Sequence, residues 1–139
     1  MPRPAEPRPA TLFGMERFLW VCLAGAAGTG VRYAISVWAV QRSSGVFPYG
    51  TLIVNIAGCF LIAAILQTAA MASWSPTVRT ALAAGFVGGL TTYSSFNFET
   101  TRLLQDGETG TAFFNLSLTV LGGYAAGWLG LLAARRLFG

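Results

Sequence analysis

Four long apolar stretches, separated by short polar connections, dominate the pattern of the chain. They lie at about 18–40, 48–70, 76–101 and 111–133. A helix needs about 20 mostly apolar residues to cross a membrane, so each stretch predicts one crossing. Ser75 followed by Pro76 predicts an N-cap and a first helical turn at the start of the third stretch. The pattern therefore predicts an all-α integral membrane protein with four transmembrane helices.

The third stretch contains an unusually polar interval for a membrane span. Glycines, hydroxyl groups, aromatic rings and an acid stand together in GFVGGLTTYSSFNFE at 85–99. Glycine costs up to about 1 kcal/mol relative to alanine in a helix, so Gly88 and Gly89 weaken the helix here. Backbone that leaves a helix in hydrocarbon needs protein, water or an ion as a partner. We therefore expect the third helix to be broken around a small ligand.

Composition places the chain in a membrane and argues against several other classes. Of the 139 residues, 54% are hydrophobic and only 10% are charged, and the mean hydropathy is +0.59. This balance is too apolar for a soluble domain of that length. The chain has no histidine and no nucleophile beside an obvious base, so we do not expect an enzyme.

Every basic residue of the chain is an arginine. Arginines near span ends anchor to lipid headgroups, so the net charge of +4 does not predict a nucleic-acid partner. Four spans place six arginines on the side of the termini and two on the other side: 3, 8, 17, 79, 135 and 136 against 42 and 102. This bias is modest, and it leaves open insertion in both orientations.

The N-terminal residues differ from the rest of the chain. Residues 1–14 are rich in proline and lack the apolar core of a signal peptide. We expect a disordered cytoplasmic tail over 1–14 and a four-span membrane domain over 15–139. Met15 is an alternative start of translation, which mass spectrometry of the native protein would test.

Two polar residues inside the first two spans are candidates for a special role. A charge at the depth of Arg32 costs at least about 2.5–3.5 kcal/mol, so its side chain should face protein or water. We expect it to reach the interface or to pair with Glu99. The amide of Asn55 can donate to an anion or make an interhelical hydrogen bond worth about 0.6 kcal/mol. The residues alone leave both roles of Asn55 open.

Further polar and aromatic candidates follow the glycines and lie in the fourth span. Tyr93 and Phe96 are three residues apart and share a helix face, either for core packing or with ring edges toward an anion. Ser95 lies on the neighbouring stripe. Asn115 and Thr119 are four residues apart and form either a polar track or a helix contact.

Three motifs stand in order along the first three stretches: GAAGTGVRY at 25–33, GTLIVNIAG at 50–58 and GGLTTYSSFNFE at 88–99. They resemble the GxxGxxxRY, GTLxVNxxG and GGLTTFSTFS-type motifs of the CrcB/Fluc family of fluoride channels. The resemblance covers the chain from about residue 18 to the C-terminus. It implies a homodimer whose subunits insert in opposite orientations, with two fluoride pores and a central structural sodium ion.

The resemblance also implies roles for individual residues. Backbone carbonyls of Gly88 and Thr91 from both subunits would hold the sodium ion, and Asn55 would donate to fluoride. The ring edge of Phe96 would face the anion, while Tyr93 stands where the family usually has a second phenylalanine.

Other positions complete the expected pathway. Ser95, Asn115 and Thr119 would lie along the fluoride path, and Arg32 and Glu99 would contribute vestibule charge or assembly contacts. The expected function is a passive channel in the bacterial inner membrane that lets cytoplasmic fluoride leave. The alternative is a dual-topology, proton-coupled exporter of the small multidrug-resistance type. That chemistry needs a titratable acid, usually in the first span, whereas Glu99 lies in the third.

Overall fold

A computed structural model describes residues 10–138, and every regular element in that range is helical. Within it, three helices are long and apolar enough to cross a membrane, in line with an all-α membrane protein. They are α1 (Ala10–Arg42), α2 (Tyr49–Met71) and α6 (Thr109–Phe138). The predicted third span is not among them, because it is divided into shorter helical pieces.

The interrupted segment lies between α2 and α6. It consists of α3 (Pro76–Thr80), a π-helical stretch (Ala81–Val87), α4 (Gly88–Leu90) and α5 (Tyr93–Gln105). The predicted cap is confirmed at its start, where the Ser75 hydroxyl accepts a hydrogen bond from the Val78 N–H at 3.3 Å. The Ser75-Pro76 pair in the sequence was sufficient to predict this helix start.

Helix α1 begins earlier than the apolar pattern predicts. It is continuous from Ala10, inside the stretch expected to be a tail, and residues 1–9 of that stretch lie outside the described residues. Large apolar side chains such as Phe18 and Leu23 are exposed along it. Lipid suits such a surface, because inside a membrane the exposed apolar side chains contact hydrocarbon and not water.

Glycines allow α1 to lie against the π-helical stretch and α4. A Cβ on Gly28 would overlap the backbone oxygen of Phe86, and a Cβ on Gly89 would overlap the oxygen of Gly25. Small residues permit this close approach of helix backbones in membranes. Gly25 and Gly28 therefore permit the close contact between α1 and the interrupted segment. A Cβ on Gly30 would meet open space within this chain, so Gly30 takes no part in this contact.

Helix α2 packs along α6, and both begin at the same end of the bundle. A Cβ on Gly130 would overlap the backbone oxygen of Phe60, and one on Gly123 would lie 3.2 Å from the Cys59 sulfur. These small residues bring α6 close to α2. Helix α2 also contacts α1 and the interrupted segment.

The interruption itself lies at Thr91 and Thr92. Their backbones are extended, with φ/ψ of −88°/155° and −151°/107°. A break within 85–99 was expected, but Gly88 and Gly89 remain helical and the chain leaves the helix after Leu90. Gly89 instead serves the contact with α1, so the glycines are not the direct cause of the break.

Candidate functional site

Thr92 starts the helix beyond the break. Its hydroxyl accepts a hydrogen bond from the Ser95 N–H at 3.2 Å and donates to the Ser95 hydroxyl at 3.0 Å. A threonine N-cap satisfies one of the donors that a helix start leaves without a partner. Ser95, predicted along the ion path, thus takes part in the cap of α5, and the cavity described below does not include it.

Asn55 of α2 binds the backbone of Thr92 on both sides. Its side-chain N–H donates to the Thr92 carbonyl at 3.0 Å, and its side-chain oxygen accepts from the Thr92 N–H at 2.8 Å. These bonds satisfy the backbone that the break exposes, as an apolar environment requires. Of the two roles left open for Asn55, the interhelical hydrogen bond is the one observed. An amide has two N–H groups, so a second donor remains.

On the other side of the break, side chains of α1 satisfy the carbonyl of Gly89. Arg32 donates its Nε–H to this oxygen at 3.0 Å, and the Thr29 hydroxyl donates at 3.4 Å. The interruption deprives the last carbonyls of α4 of helical partners, which makes them strong acceptors. This explains why Arg32 lies against the break.

The expected pairing of Arg32 with Glu99 is wrong. Glu99 lies on α5 and accepts a hydrogen bond from the Thr51 hydroxyl at 2.8 Å, while Arg32 is engaged at Gly89. Among the described residues the recorded ion pair is instead the exposed one between Arg102 and Asp106, at 3.8 Å. The Gly89 carbonyl, close to α1, accepts from one N–H of the guanidinium, and Thr51 of α2 donates to the carboxylate.

A cavity of about 850 Å³ opens next to the break. Helix α2 contributes Asn55 and Gly58, while the interrupted segment and α6 line its sides. A Cβ at Gly58 would overlap the side-chain methyl of Thr91, so glycine lets α2 approach the extended residues. Six of the predicted site residues line this one cavity: Asn55, Gly88, Thr91, Tyr93, Phe96 and Thr119.

Tyr93 and Phe96 share the face that their spacing predicts. Their ring centroids are 5.8 Å apart and the planes are inclined by 58°. Phe96 is 5% exposed, whereas Tyr93 is 75% exposed at the cavity wall. Phe96 is thus fixed by packing, and Tyr93 presents its ring and phenol to whatever fills the cavity.

Thr119 presents an unsatisfied hydroxyl beside the same cavity. Its Oγ1 is buried and has no hydrogen-bond partner. Buried polar atoms are nearly always paired, so this oxygen indicates a place where a small polar species can bind.

Asn115, four residues before Thr119, does not line the cavity. Its side chain is 1% exposed and donates to the Thr100 hydroxyl at 2.8 Å, which donates to the Phe96 carbonyl at 2.7 Å. Asn115 therefore supports the helix that carries Phe96. The two predicted members of the polar track have different surroundings.

Glu99 and Arg32 also lie outside this cavity. Glu99 lines a smaller cavity of about 300 Å³ together with Thr51 and Ser36. The Oε2 atom of Glu99 is buried without a partner, while Oε1 accepts from Thr51. The carboxylate is thus only half satisfied within the described chain.

Sequence reasoning missed Thr51 and Thr100, which organise the site, and it placed Thr92 on the stripe of Ser95 without predicting its role as a cap. Thr92 stands three residues before Ser95 at a helix start, which is a readable capping signal. Thr51 and Thr100 act through partners distant in the chain or on another helix, and no local pattern marks them.

Comparison with known proteins agrees with the motifs. Residues 19–131 match the family model described as CrcB-like protein, Camphor Resistance (CrcB). A protein of Sorangium cellulosum called fluoride-specific ion channel FluC is 48% identical over 124 residues, which cover 88% of this chain and 98% of the relative.

Two further relatives carry the same name. The one from Anaeromyxobacter dehalogenans is 48% identical over 127 residues, covering 90% of this chain and 100% of the relative. The one from Acidobacterium capsulatum is 41% identical over 122 residues, covering 87% and 98%. The family match spans most of the chain and includes both sides of the helix break. This chain is therefore a multi-pass membrane protein and belongs to the CrcB family.

Proposed function

We propose that this chain forms a passive fluoride channel, the activity that the names of its relatives state. The observation that carries the proposal is the cavity at the break, which places Asn55, Phe96 and Thr119 around one space. A selective pore must replace the water that a small ion loses on entry. Fluoride is strongly hydrated, so closely spaced donors are needed.

The cavity offers donors without a positive charge. The second N–H of Asn55, the hydroxyl of Thr119 and the phenol of Tyr93 can each donate a hydrogen bond. The edge of the Phe96 ring carries partial positive charge. No charged side chain is among the described residues that line this cavity. An anion is therefore held weakly enough to leave, as conduction requires.

A second copy of the chain would close the cavity in this proposal. The groove exposes Tyr93, Tyr124 and Trp128 at 75%, 79% and 63%. We propose an antiparallel homodimer, which the modest arginine bias permits, with two pores. Residues 76–90 and 93–105 together would make the remaining membrane crossing of each subunit.

The backbone carbonyl oxygens at the break are suitable ligands for the structural sodium ion of this proposal. Helix α4 ends at Leu90, and the carbonyls at a helix C-terminus carry partial negative charge. Unwound backbone and half-helix ends coordinate sodium in membrane transporters. Gly88 and Thr91 are the proposed ligands through their carbonyl oxygens, and the Cα of Gly88 faces open space. Bound there, the ion would supply a positive charge that holds two copies together.

The proposed direction of transport follows from the membrane voltage. In a bacterial inner membrane, a potential of 100 mV favours exit of one negative charge by about 2.3 kcal/mol. No energy-coupling chemistry is then needed. This agrees with the expectation that the chain is not an enzyme, since its relatives are named as channels.

Fluoride release from proteoliposomes tests the proposal. Vesicles loaded with potassium fluoride are diluted, valinomycin is added, and a fluoride electrode records efflux. We expect rapid efflux from protein-containing vesicles and slow leakage from empty ones, with little chloride release in a parallel assay. Fluoride release equal to that of empty vesicles would refute the proposal. Release of a cationic drug driven by a pH gradient would favour the proton-coupled exporter.

A further inference from the structure

A second cavity, of about 890 Å³, lies at the end of the bundle where α1 ends and α2 and α6 begin. It shares no lining residue with the cavity at the break. Its lining combines an arginine, two serines and several aromatic rings: Trp38, Arg42, Ser43, Ser44, Phe47, Tyr49 and Phe114 among others. It therefore requires an explanation separate from ion conduction.

Aromatic rings from three parts of the chain form its apolar wall. The ring centroids of Phe47 and Tyr49 are 4.7 Å apart, and those of Phe47 and Phe114 are 5.6 Å apart. Phe114 is 58% exposed and Ile53 adds aliphatic surface. Such a wall suits a hydrocarbon chain, since apolar area gains free energy when covered.

Arg42 supplies the charge of the cavity. Its guanidinium carbon lies 6.0 Å from the centroid of the Trp38 ring, and no carboxylate of the described chain lies within ion-pair distance of it. The hydroxyls of Ser43 and Ser44 are beside it in the chain and line the same cavity. An acid is also near the rim, because Glu108 accepts a hydrogen bond from the cavity residue Thr111 at 3.1 Å. That carboxylate has its own donor, and the guanidinium remains available.

The position of the cavity indicates its occupant. Arg42 is the last residue of α1 and Tyr49 the first of α2, so the cavity lies at the depth where lipid headgroups meet the helix ends. Arginine and the amphipathic aromatics concentrate at that depth. Guanidinium groups bind phosphate oxygens through two parallel hydrogen bonds.

We propose that this cavity binds a phospholipid of the surrounding membrane. The phosphodiester contacts Arg42 and the neighbouring serine hydroxyls, and an acyl chain lies along Phe47, Phe114 and Ile53. Lipid is the one phosphate source that also supplies a hydrocarbon chain for this wall. The site shares no lining residue with the cavity at the break, and it adjoins the smaller cavity that Glu99 lines.

Native mass spectrometry of the purified protein with added phosphatidylglycerol tests the site. We expect lipid adducts on the wild type and about tenfold weaker retention in Arg42→Gln, since hydrogen bonds to charged groups contribute at this level. Arg102→Gln is the matched control: it removes an exposed arginine from the last turn of α5, on the same side and outside the cavity. It should retain lipid like the wild type.

A second variant and two other probes complete the test. Phe114→Gln should weaken retention by removing the acyl-chain contact, and its elution as a single species would show that it folds. Diacylglycerol, which lacks the phosphodiester, should bind poorly, and inorganic phosphate alone should not bind. Equal lipid retention by wild type and Arg42→Gln would overturn the proposal. So would diacylglycerol retention equal to that of the phospholipid, or tight binding of free phosphate.

Discussion

Asn55 and Thr92 are 37 residues apart in the chain and are joined by two hydrogen bonds, of 3.0 and 2.8 Å. The amide of one side chain thereby replaces the helical partners that the backbone of Thr92 lacks. Thr92 also caps the helix that carries Tyr93 and Phe96. The orientation of both rings at the cavity consequently depends on this contact from α2 as well as on the packing of Phe96 and the support from Asn115.

Asn55→Asp should nearly abolish fluoride efflux. The carboxylate cannot donate to the Thr92 carbonyl, and it places a negative charge at the cavity that repels the anion. The unsatisfied carbonyl should also lower the free energy of unfolding by about 1–3 kcal/mol. Electrode traces and thermal unfolding in detergent measure the two effects. Asn97→Asp, at an exposed position of α5, is the control. Undiminished efflux from Asn55→Asp would contradict the role of Asn55.

Thr119→Val removes an unpaired hydroxyl without changing the shape of the side chain much. If the hydroxyl donates a hydrogen bond to fluoride, efflux should fall about threefold to tenfold, which corresponds to the free energy of one neutral hydrogen bond. Stability should stay the same or rise, because no protein partner loses a bond. Thr119→Ser keeps the hydroxyl and should keep most of the flux. A loss of stability with full efflux would indicate a structural role instead.

Arg32→Met should destabilise the break. The substitution leaves the Gly89 carbonyl without its charged donor, at a cost of about 1.5–3 kcal/mol in unfolding free energy. Thermal unfolding measures the difference. Arg17→Met provides the comparison, since Arg17 is exposed near the start of α1. Equal melting temperatures for the two variants would argue against the importance of the Arg32 contact.

Gly28→Ala and Gly30→Ala should have opposite effects, although they lie two residues apart on α1. The first methyl group overlaps the Phe86 backbone and should cost about 1–3 kcal/mol by overpacking. The second enters open space and should stabilise the helix by up to about 1 kcal/mol. Melting temperatures of the purified variants provide the measurement. A tolerated Gly28→Ala would mean that α1 does not approach the interrupted segment as closely as described.

Sodium should stabilise the folded protein if Gly88 and Thr91 hold the ion. A ligand that binds only the folded state raises stability with the logarithm of its concentration. The melting temperature should therefore rise when sodium chloride replaces choline chloride at constant ionic strength. Identical melting curves in the two salts would contradict the proposed sodium site. They would not bear on channel function, which the fluoride efflux assay tests separately.

Local patterns predicted the parts of the fold that local chemistry controls. The cap at Ser75 needs only a hydroxyl three residues before an N–H, and it forms as expected. Tyr93 and Phe96 share a face because helical spacing requires it. The long apolar helices follow from hydrophobic length alone.

Contacts between distant residues were harder to predict. The sequence allowed two roles for Asn55, and for Arg32 it allowed either the interface or a pairing with Glu99. Arg32 instead donates to the Gly89 carbonyl, and Glu99 accepts from Thr51. It attributed the break to the glycine pair, which is helical and serves the contact with α1. In each case, the contact that a residue makes depends on which backbone groups lie near it once the helices have packed.

By itself, the sequence determined the membrane environment, the long helices, the interval in which the third one breaks and six of the residues around the cavity. The tertiary structure decided where the chain leaves the helix and which polar groups satisfy it there. The physical reason is that exposed backbone in an apolar medium takes the nearest available donor or acceptor. Packing between helices that are distant in the chain determines which donor that is.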